Sequence, residues 1–242
     1  MNGPARRPET AMVLAAGLGT RMRPLTEVCP KPLLPLAGRP MIELALDHAA
    51  AAGVRRAVVN LHHLGHMIRA HLARWPAPEV AFSEEQPEIL DTGGGIARAL
   101  PLLGDAPFYS VNSDAVWLGP NPLDLLARAW QPGRMDALLL LVARERARAY
   151  ARRGDFFLEA EGEAPRRRGP RGMAPLIYSG AQIIAPSAFA GVPEGAFSVN
   201  LVWDRLLAEG RLAAVTYPGG WVDVGTPAGL VEAEAALRGA RA

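Results

Sequence analysis

The chain has 242 residues, half of them hydrophobic, and a formal net charge of +2. That length is enough to bury a substantial core, the composition excludes a disordered chain, and so small a charge gives no footing for nucleic acid as a partner. The single cysteine, Cys29, excludes an internal disulfide and fits a reducing, cytoplasmic setting, and no apolar run is long enough to span a membrane.

Residues 1–10 read as a loose tail. The apolar run 13–16 has the pattern of a buried parallel strand and breaks into Gly17-Leu18-Gly19-Thr20-Arg21. Glycines let a ligand approach main-chain N–H groups closely, and clustered N–H groups bind anions. A dinucleotide fingerprint would need glycine where Met22 stands. A Walker loop would place Lys-Ser/Thr directly after the second glycine, so neither motif applies. Taken alone, the loop also fits an ordinary strand-to-helix turn. The lysine count shifts that balance: among 26 Lys and Arg residues, Lys31 is the one lysine. A compact ammonium fits between phosphate oxygens where a planar guanidinium does not, and Pro30 and Pro32 restrict the backbone on either side of it.

Downstream, 41–52 has helical spacing and stops at Gly53, 55–60 reads as a strand and 64–72 as a helix. Residues 80–83 form a short strand, 96–103 a helix, 108–112 a strand, 123–130 a helix and 137–143 a strongly apolar strand. This alternation predicts an α/β fold, a Rossmann-like three-layer sandwich around a mostly parallel sheet. Ligands on such sheets sit at the carboxyl ends of the strands, where Gly17, Glu85 and Asp114 would converge. From 144 the rhythm changes. Residues 144–153 are arginine-rich, 154–158 suggest a strand, and 159–175 read as a flexible Pro/Gly-rich loop. Its Arg166-Arg167-Arg168 run fits either an anion site or a solvated face. A strand over 176–185, a helix over 201–209 and a strand over 212–217 follow. Thr226 then reads as the N-cap, and Pro227 as the first residue, of a last helix ending near 237. His62 and His63 lack the further ligands that a zinc site needs.

The run G-x-G-T-R-M-x-P-L-T, then P-K-P-L-L-P and G-x-P, occurs in order within residues 17–40. It resembles the signature of the sugar-1-phosphate nucleotidylyltransferases. The segments TGGG, VN-x-D, RGDF and SVNLVWDRLLAEGRL extend the likeness over nearly the whole chain, toward the short N-acetylmuramate-1-phosphate uridylyltransferases. The resemblance implies a GT-A-like nucleotidyltransferase fold in one domain, 1–242. Its nucleotide-binding half would span about 11–143 and its sugar-phosphate half about 144–242, with no C-terminal hexapeptide-repeat domain. It implies condensation of a nucleoside triphosphate, UTP foremost, with a sugar 1-phosphate, N-acetylmuramate 1-phosphate foremost, releasing pyrophosphate.

The same resemblance implies roles for particular residues. Ala16, Gly17, Leu18, Gly19 and Thr20 would wrap the triphosphate, Arg21 would grip its β- and γ-phosphates, and Lys31 would stabilise the α-phosphoryl group. Glu85, or else Gln86, would face the base, with Gly93 and Gly94 bordering base or ribose. Asp114 and Asp223 would hold Mg²⁺, which takes carboxylate oxygens while keeping waters; either alone fits a turn aspartate. Asn112, Asp155, Gln182 and Asn200, each polar beside a strand, would meet the sugar, and Asn200 also fits a helix N-cap. Mannose-1-phosphate guanylyltransferase and glucose-1-phosphate uridylyl- or thymidylyltransferase activities stay open, as does a non-catalytic nucleotide-sensing module. Met22 argues against an NAD-linked oxidoreductase. A monomer or small homo-oligomer is expected, with neither nucleic acid nor membrane as partner.

Overall fold

The computed structural model describes residues 7–170 and 172–239. Seven long strands build the main sheet: β1 (Thr10–Leu14), β2 (Arg56–Leu61), β3 (Glu79–Glu84), β4 (Phe108–Asn112), β5 (Ala137–Ala143), β6 (Leu176–Ile184) and β7 (Leu212–Tyr217). Their spatial order is β7-β5-β6-β4-β1-β2-β3. All neighbours run parallel except β6, which is antiparallel to both β4 and β5. The expected mostly parallel sheet is therefore present, with one strand reversed.

Helices α1 (Met41–Ala51), α2 (Gly65–Leu72), α3 (Asp91–Leu103), α4 (Pro122–Ala129), α5 (Asn200–Ala208) and α6 (Pro227–Gly239) complete the fold. Side chains of a strand alternate between faces, so a sheet covered on both sides must be apolar on both. β5 shows this directly: Leu138, Leu140 and Val142 join the core beneath α1, α2 and α4, while Ala137, Leu139 and Leu141 join the core beneath α3 and α5. A third apolar cluster packs α6 against Met22, Leu36 and Val222. At the start of α6, Thr226 Oγ1 accepts from the Gly229 N–H at 3.2 Å, the expected N-cap. No helix among the described residues is long and apolar enough to cross a membrane.

A second, three-stranded sheet pairs Ala115–Leu118 antiparallel with Gly220–Asp223, which in turn pairs parallel with Ala147–Arg148. Two expectations are corrected here. Of the supposed tail, residues 1–6 lie outside the described residues, but Thr10 is already in β1 and the Glu9 carbonyl accepts from the Arg55 N–H at 2.8 Å. The supposed flexible loop over 159–175 contains a strand, Arg166–Arg167, paired antiparallel with Phe156–Phe157. Arginine stacking explains its order: Arg166 lies over the Phe157 ring at 4.2 Å and Arg167 over Phe156 at 4.9 Å.

Candidate active site

The strand order reverses at β1 and β4, and a two-lobed cleft opens at their carboxyl ends, where open α/β sheets bind ligands. The ends of the two strands are tied together, because Ser113 donates from Oγ to the Leu14 carbonyl at 2.7 Å. One lobe, of about 210 Å³, is lined by residues that include Ala15, Ala16, Gly17, Lys31, Asn60 and Glu85. The other, of about 340 Å³, is lined by residues that include Arg21, Arg152, Asp155, Arg167, Gln182 and Asp223. Leu14, Asp91, Thr92, Asn112 and Asp114 border both lobes.

Lys31 opens a single helical turn, Lys31–Leu33, closed by Leu33 N–H to the Pro30 carbonyl at 2.8 Å. Pro30 is extended and Pro32 sits inside the turn, so the lysine backbone is fixed on both sides. Lysine is rarely buried without a partner; here the residue is 9% exposed and its Nζ forms an ion pair with Asp114 Oδ2. Asp114 ends the β4 turn. The pairing of the small sheet sets Asp223 opposite Ala115, and the Asp114 carbonyl accepts from the Val224 N–H at 3.3 Å. The two aspartates, far apart in sequence, thus share one lip of the cleft. Burial, and then the Asp114 charge, push the Asp223 carboxyl above the ordinary aspartate range; Arg152, 3.6 Å away, only partly offsets this. Arg21 packs against Gly225, where a Cβ would lie 2.6 Å from its Nη1. It lines the larger lobe, beside Asp223, rather than the lobe of Lys31.

In the smaller lobe Ala16 and Gly17 form part of the wall, whereas Leu18, Gly19 and Thr20 do not. Leu18 and Thr20 are exposed, and Gly19 takes φ 61° to turn the chain under Thr26, whose Oγ1 donates to the Gly19 carbonyl at 2.8 Å. Gly93 and Gly94 are in the lining of neither lobe. The triple glycine lies in the first turn of α3 instead of a loop, and both N–H groups donate to the Phe197 carbonyl, at 2.9 and 3.0 Å. Those first-turn N–H groups are satisfied by protein. Glu85 is fully buried with both carboxylate oxygens engaged, while Gln86 is exposed and outside both linings.

Asn112, Asp155, Gln182 and Asn200 all line the larger lobe. Asp155 Oδ2 accepts from the Tyr178 N–H at 3.0 Å, and Gln182 Oε1 accepts from Trp203 Nε1 at 2.9 Å. Asn200 is the first residue of α5, not its N-cap, and its Oδ1 accepts from Arg167 Nη1 at 2.8 Å. Tyr178, Gly180 and Gln182, every second residue of β6, line the cleft, and the strand's register shifts between Tyr178 and Gln182, as bulges commonly do beside binding sites. Sequence reading missed Asp91, Thr92, Tyr150, Arg152, Tyr178 and Trp203. Asp91 and Thr92 had one visible cue, their place before the glycines; the others reach the cleft only through long-range folding. Tyr150 has a buried hydroxyl with no hydrogen-bond partner, and burial pushes its pKa up to about 12. Among the described residues no cluster of three or more His, Cys, Asp or Glu forms a self-sufficient metal cage. His62 and His63 serve loops, His62 Nδ1 lying 2.7 Å from the Glu85 carbonyl and His63 Nε2 2.9 Å from that of Thr26.

Comparison with known proteins agrees with this geometry. The model of the MobA-like NTP transferase domain matches residues 11–191. An N-acetylmuramate α-1-phosphate uridylyltransferase of Caulobacter vibrioides is 42% identical, over 96% of this chain and 98% of its own. Its counterpart in Neisseria meningitidis is 38% identical over 93% and 96%. A UDP-glucose pyrophosphorylase solved with UDP-glucose superposes with a TM-score of 0.76 at 18% identity, over 96% of this chain and 98% of that one, which shows the shared fold. A glycine loop and a sole lysine at the β1/β4 switch point, two carboxylates on one lip and relatives matched end to end lead to one conclusion: this chain belongs to the MobA-like NTP transferase family, the nucleotidyltransferase family that includes the N-acetylmuramate α-1-phosphate uridylyltransferases.

Proposed function

We propose that the protein joins UTP to N-acetylmuramate 1-phosphate, giving UDP-N-acetylmuramate and pyrophosphate. The observation that carries this reading is the Lys31–Asp114 pair at the junction of the two lobes. It sets a cation and a carboxylate where a triphosphate from one side would meet a sugar phosphate from the other. The nucleophile, an oxygen of the sugar phosphate, is already an anion at neutral pH, so no general base is needed. That oxygen forms a bond to the α-phosphorus as the bond to pyrophosphate breaks. Catalysis is then positioning and charge neutralisation. Lys31 stabilises the α-phosphoryl group, and the N–H groups around Ala16 and Gly17 receive phosphate oxygens. Arg21 serves the phosphates from the larger lobe.

The site fits Mg²⁺. Its candidate ligands are hard carboxylate oxygens, and Asp223 is held above its ordinary range partly by the Asp114 charge, a repulsion that a divalent cation relieves. When bound between Asp114 and Asp223 the ion would neutralise charge on the triphosphate.

The larger lobe supports an acidic acceptor. Arg152 and Arg167 both line it, paired with Asp223 at 3.6 Å and with Asp204 at 2.8 Å, and one of them would meet the lactyl carboxylate that N-acetylmuramate adds to its phosphate. This acceptor would place the protein in the recycling of peptidoglycan sugars, in the cytoplasm where nucleoside triphosphates are made. The test is a pyrophosphate-release screen of the four ribonucleoside triphosphates against N-acetylmuramate, N-acetylglucosamine, glucose and mannose 1-phosphates, with and without Mg²⁺. The highest kcat/KM should fall to UTP with N-acetylmuramate 1-phosphate. Preference for GTP with mannose 1-phosphate would overturn the assignment of base and sugar.

A further inference from the structure

Glu85 stands at the carboxyl end of β3 with no exposed surface. Its Oε1 accepts from Asn60 Nδ2 at 2.6 Å, and its Oε2 accepts from the Leu90 N–H at 2.8 Å. Asn60, 3% exposed on β2, turns its Oδ1 to accept from the Ala15 N–H at 2.6 Å. Three hydrogen bonds thus run without a break from the end of the 86–90 turn to the start of the glycine loop. The third glycine of the triple also finds its reason here. A Cβ at Gly95 would lie 2.5 Å from Glu85 Oε1 and 3.0 Å from Asn60 Nδ2. A buried carboxyl group is costly unless its oxygens are hydrogen-bonded, so the motif has been shaped around a polar side chain that faces no solvent.

We propose that Glu85 is a positioning residue that acts through Asn60. It holds the Ala15 amide at the floor of the smaller lobe and the 86–90 turn at its wall as one unit, so that the nucleotide meets a preset distance between them. The proposal rests on the reading that this lobe takes a nucleoside triphosphate. It gives Glu85 a role other than reading the base, because the residue stands in the wall of the lobe with no exposed surface and with both oxygens already accepting bonds from within the protein.

The polarity of the chain supplies the test. Glu85→Gln sets an amide N–H against a donor, either Asn60 Nδ2 or the Leu90 N–H. Asn60→Asp sets two carboxylates against each other. In the double variant the new amide at 85 donates to the new carboxylate at 60. That carboxylate still accepts from the Ala15 N–H, and the amide oxygen still accepts from the Leu90 N–H. All three bonds return with the middle one reversed. Each single variant should raise the KM for UTP about tenfold or more, the effect of stranding one buried polar group, with a much smaller change in the KM for the sugar phosphate. Amide exchange at Ala15 and Leu90 should quicken. The double variant should return both readouts to within about threefold of wild type, as expected for a restored pair.

A double variant no better than the worse single one, or unable to fold, overturns the proposal. So does an equal rise in both KM values. Should Asn60→Asp alone not fold, the comparison of Glu85→Gln with the double variant separates the same two outcomes. The exchange readout needs no turnover. A wild-type protein that released no pyrophosphate would therefore sink the functional reading while leaving the brace to be judged separately.

Discussion

Two glycine-rich stretches flank the smaller lobe, and they use glycine for opposite reasons. A Cβ added at Gly17 would meet nothing within 4 Å; the space beside it is open to the smaller lobe. A Cβ at Gly93 would lie 2.4 Å from the Phe197 ring and 2.8 Å from the Phe197 carbonyl, and one at Gly94 would lie 2.3 Å from the Gly195 carbonyl. There the space is already filled by the segment that leads into α5. At Gly17 glycine keeps a surface accessible, and in the second stretch it lets a helix start press against another piece of backbone. A substitution at Gly17 should therefore cost activity and spare stability, and substitutions in the helix turn should do the reverse.

The largest effect should come from Lys31→Arg beside the loop. The guanidinium cannot occupy the space of the paired ammonium, and turnover should fall about a hundredfold or more while the far-UV circular dichroism stays unchanged. Rates near wild type would remove the sole lysine from the chemistry. Asp223→Asn should nearly abolish Mg²⁺-dependent turnover without lowering the Tm, and a wild-type metal titration curve would take Asp223 out of the site. Next comes Gly93→Ala, which tests the other side of the contrast. Overpacking of this kind costs about 2 kcal/mol, which for a chain of this size lowers the Tm by about 6 °C, with KM values for both substrates little changed. If Tm is intact and KM raised, the two stretches do not differ in the way described. Gly17→Ala should change stability by less than about 0.5 kcal/mol yet raise the KM for UTP several-fold.

The smallest effect lies away from both stretches. Arg211 grips Asp136 with Nε at 2.9 Å and Nη2 at 2.8 Å, and this hydrogen-bonded guanidinium holds the Asp136 carboxyl below its ordinary range. A depressed carboxyl contributes stability that is present above its unfolded pKa and lost as pH falls through the folded one. Arg211→Ala should therefore cost no more than about 1 kcal/mol at pH 7, as expected for a partly exposed pair. In denaturant titrations the difference from wild type should shrink in acid. A difference that persists unchanged at low pH would mean the loss is in packing.

Much of this was legible in the sequence because local rules govern it. The apolar runs of β4, β5 and β7 fall where periodicity places them, and the 17–40 signature marks the loop and Lys31. The start of α3 was not legible. Glycine is a poor helix former, so a triple glycine reads as loop until the Phe197 carbonyl is brought against it from a hundred residues away. The strand Arg166–Arg167 was hidden for a similar reason: its ordering partners, Phe156 and Trp203, are aromatic rings supplied by other elements. Glu85 was found as a residue of consequence, but its role was not. Whether a carboxylate faces a ligand or closes a buried chain depends on Asn60 on the neighbouring strand, and no spacing in the sequence encodes that register.

The small three-stranded sheet has a consequence for the order in which the protein matures. Its pairing joins Ala115–Leu118 to Gly220–Asp223, so one carboxylate of the lip arrives from the middle of the chain and the other close to the last helix. A nascent polypeptide that has left the ribosome only as far as Leu118 already owns the glycine loop, Lys31 and Asp114, but lacks Asp223. The two carboxylates proposed to hold Mg²⁺ therefore stand side by side only after the late strand docks.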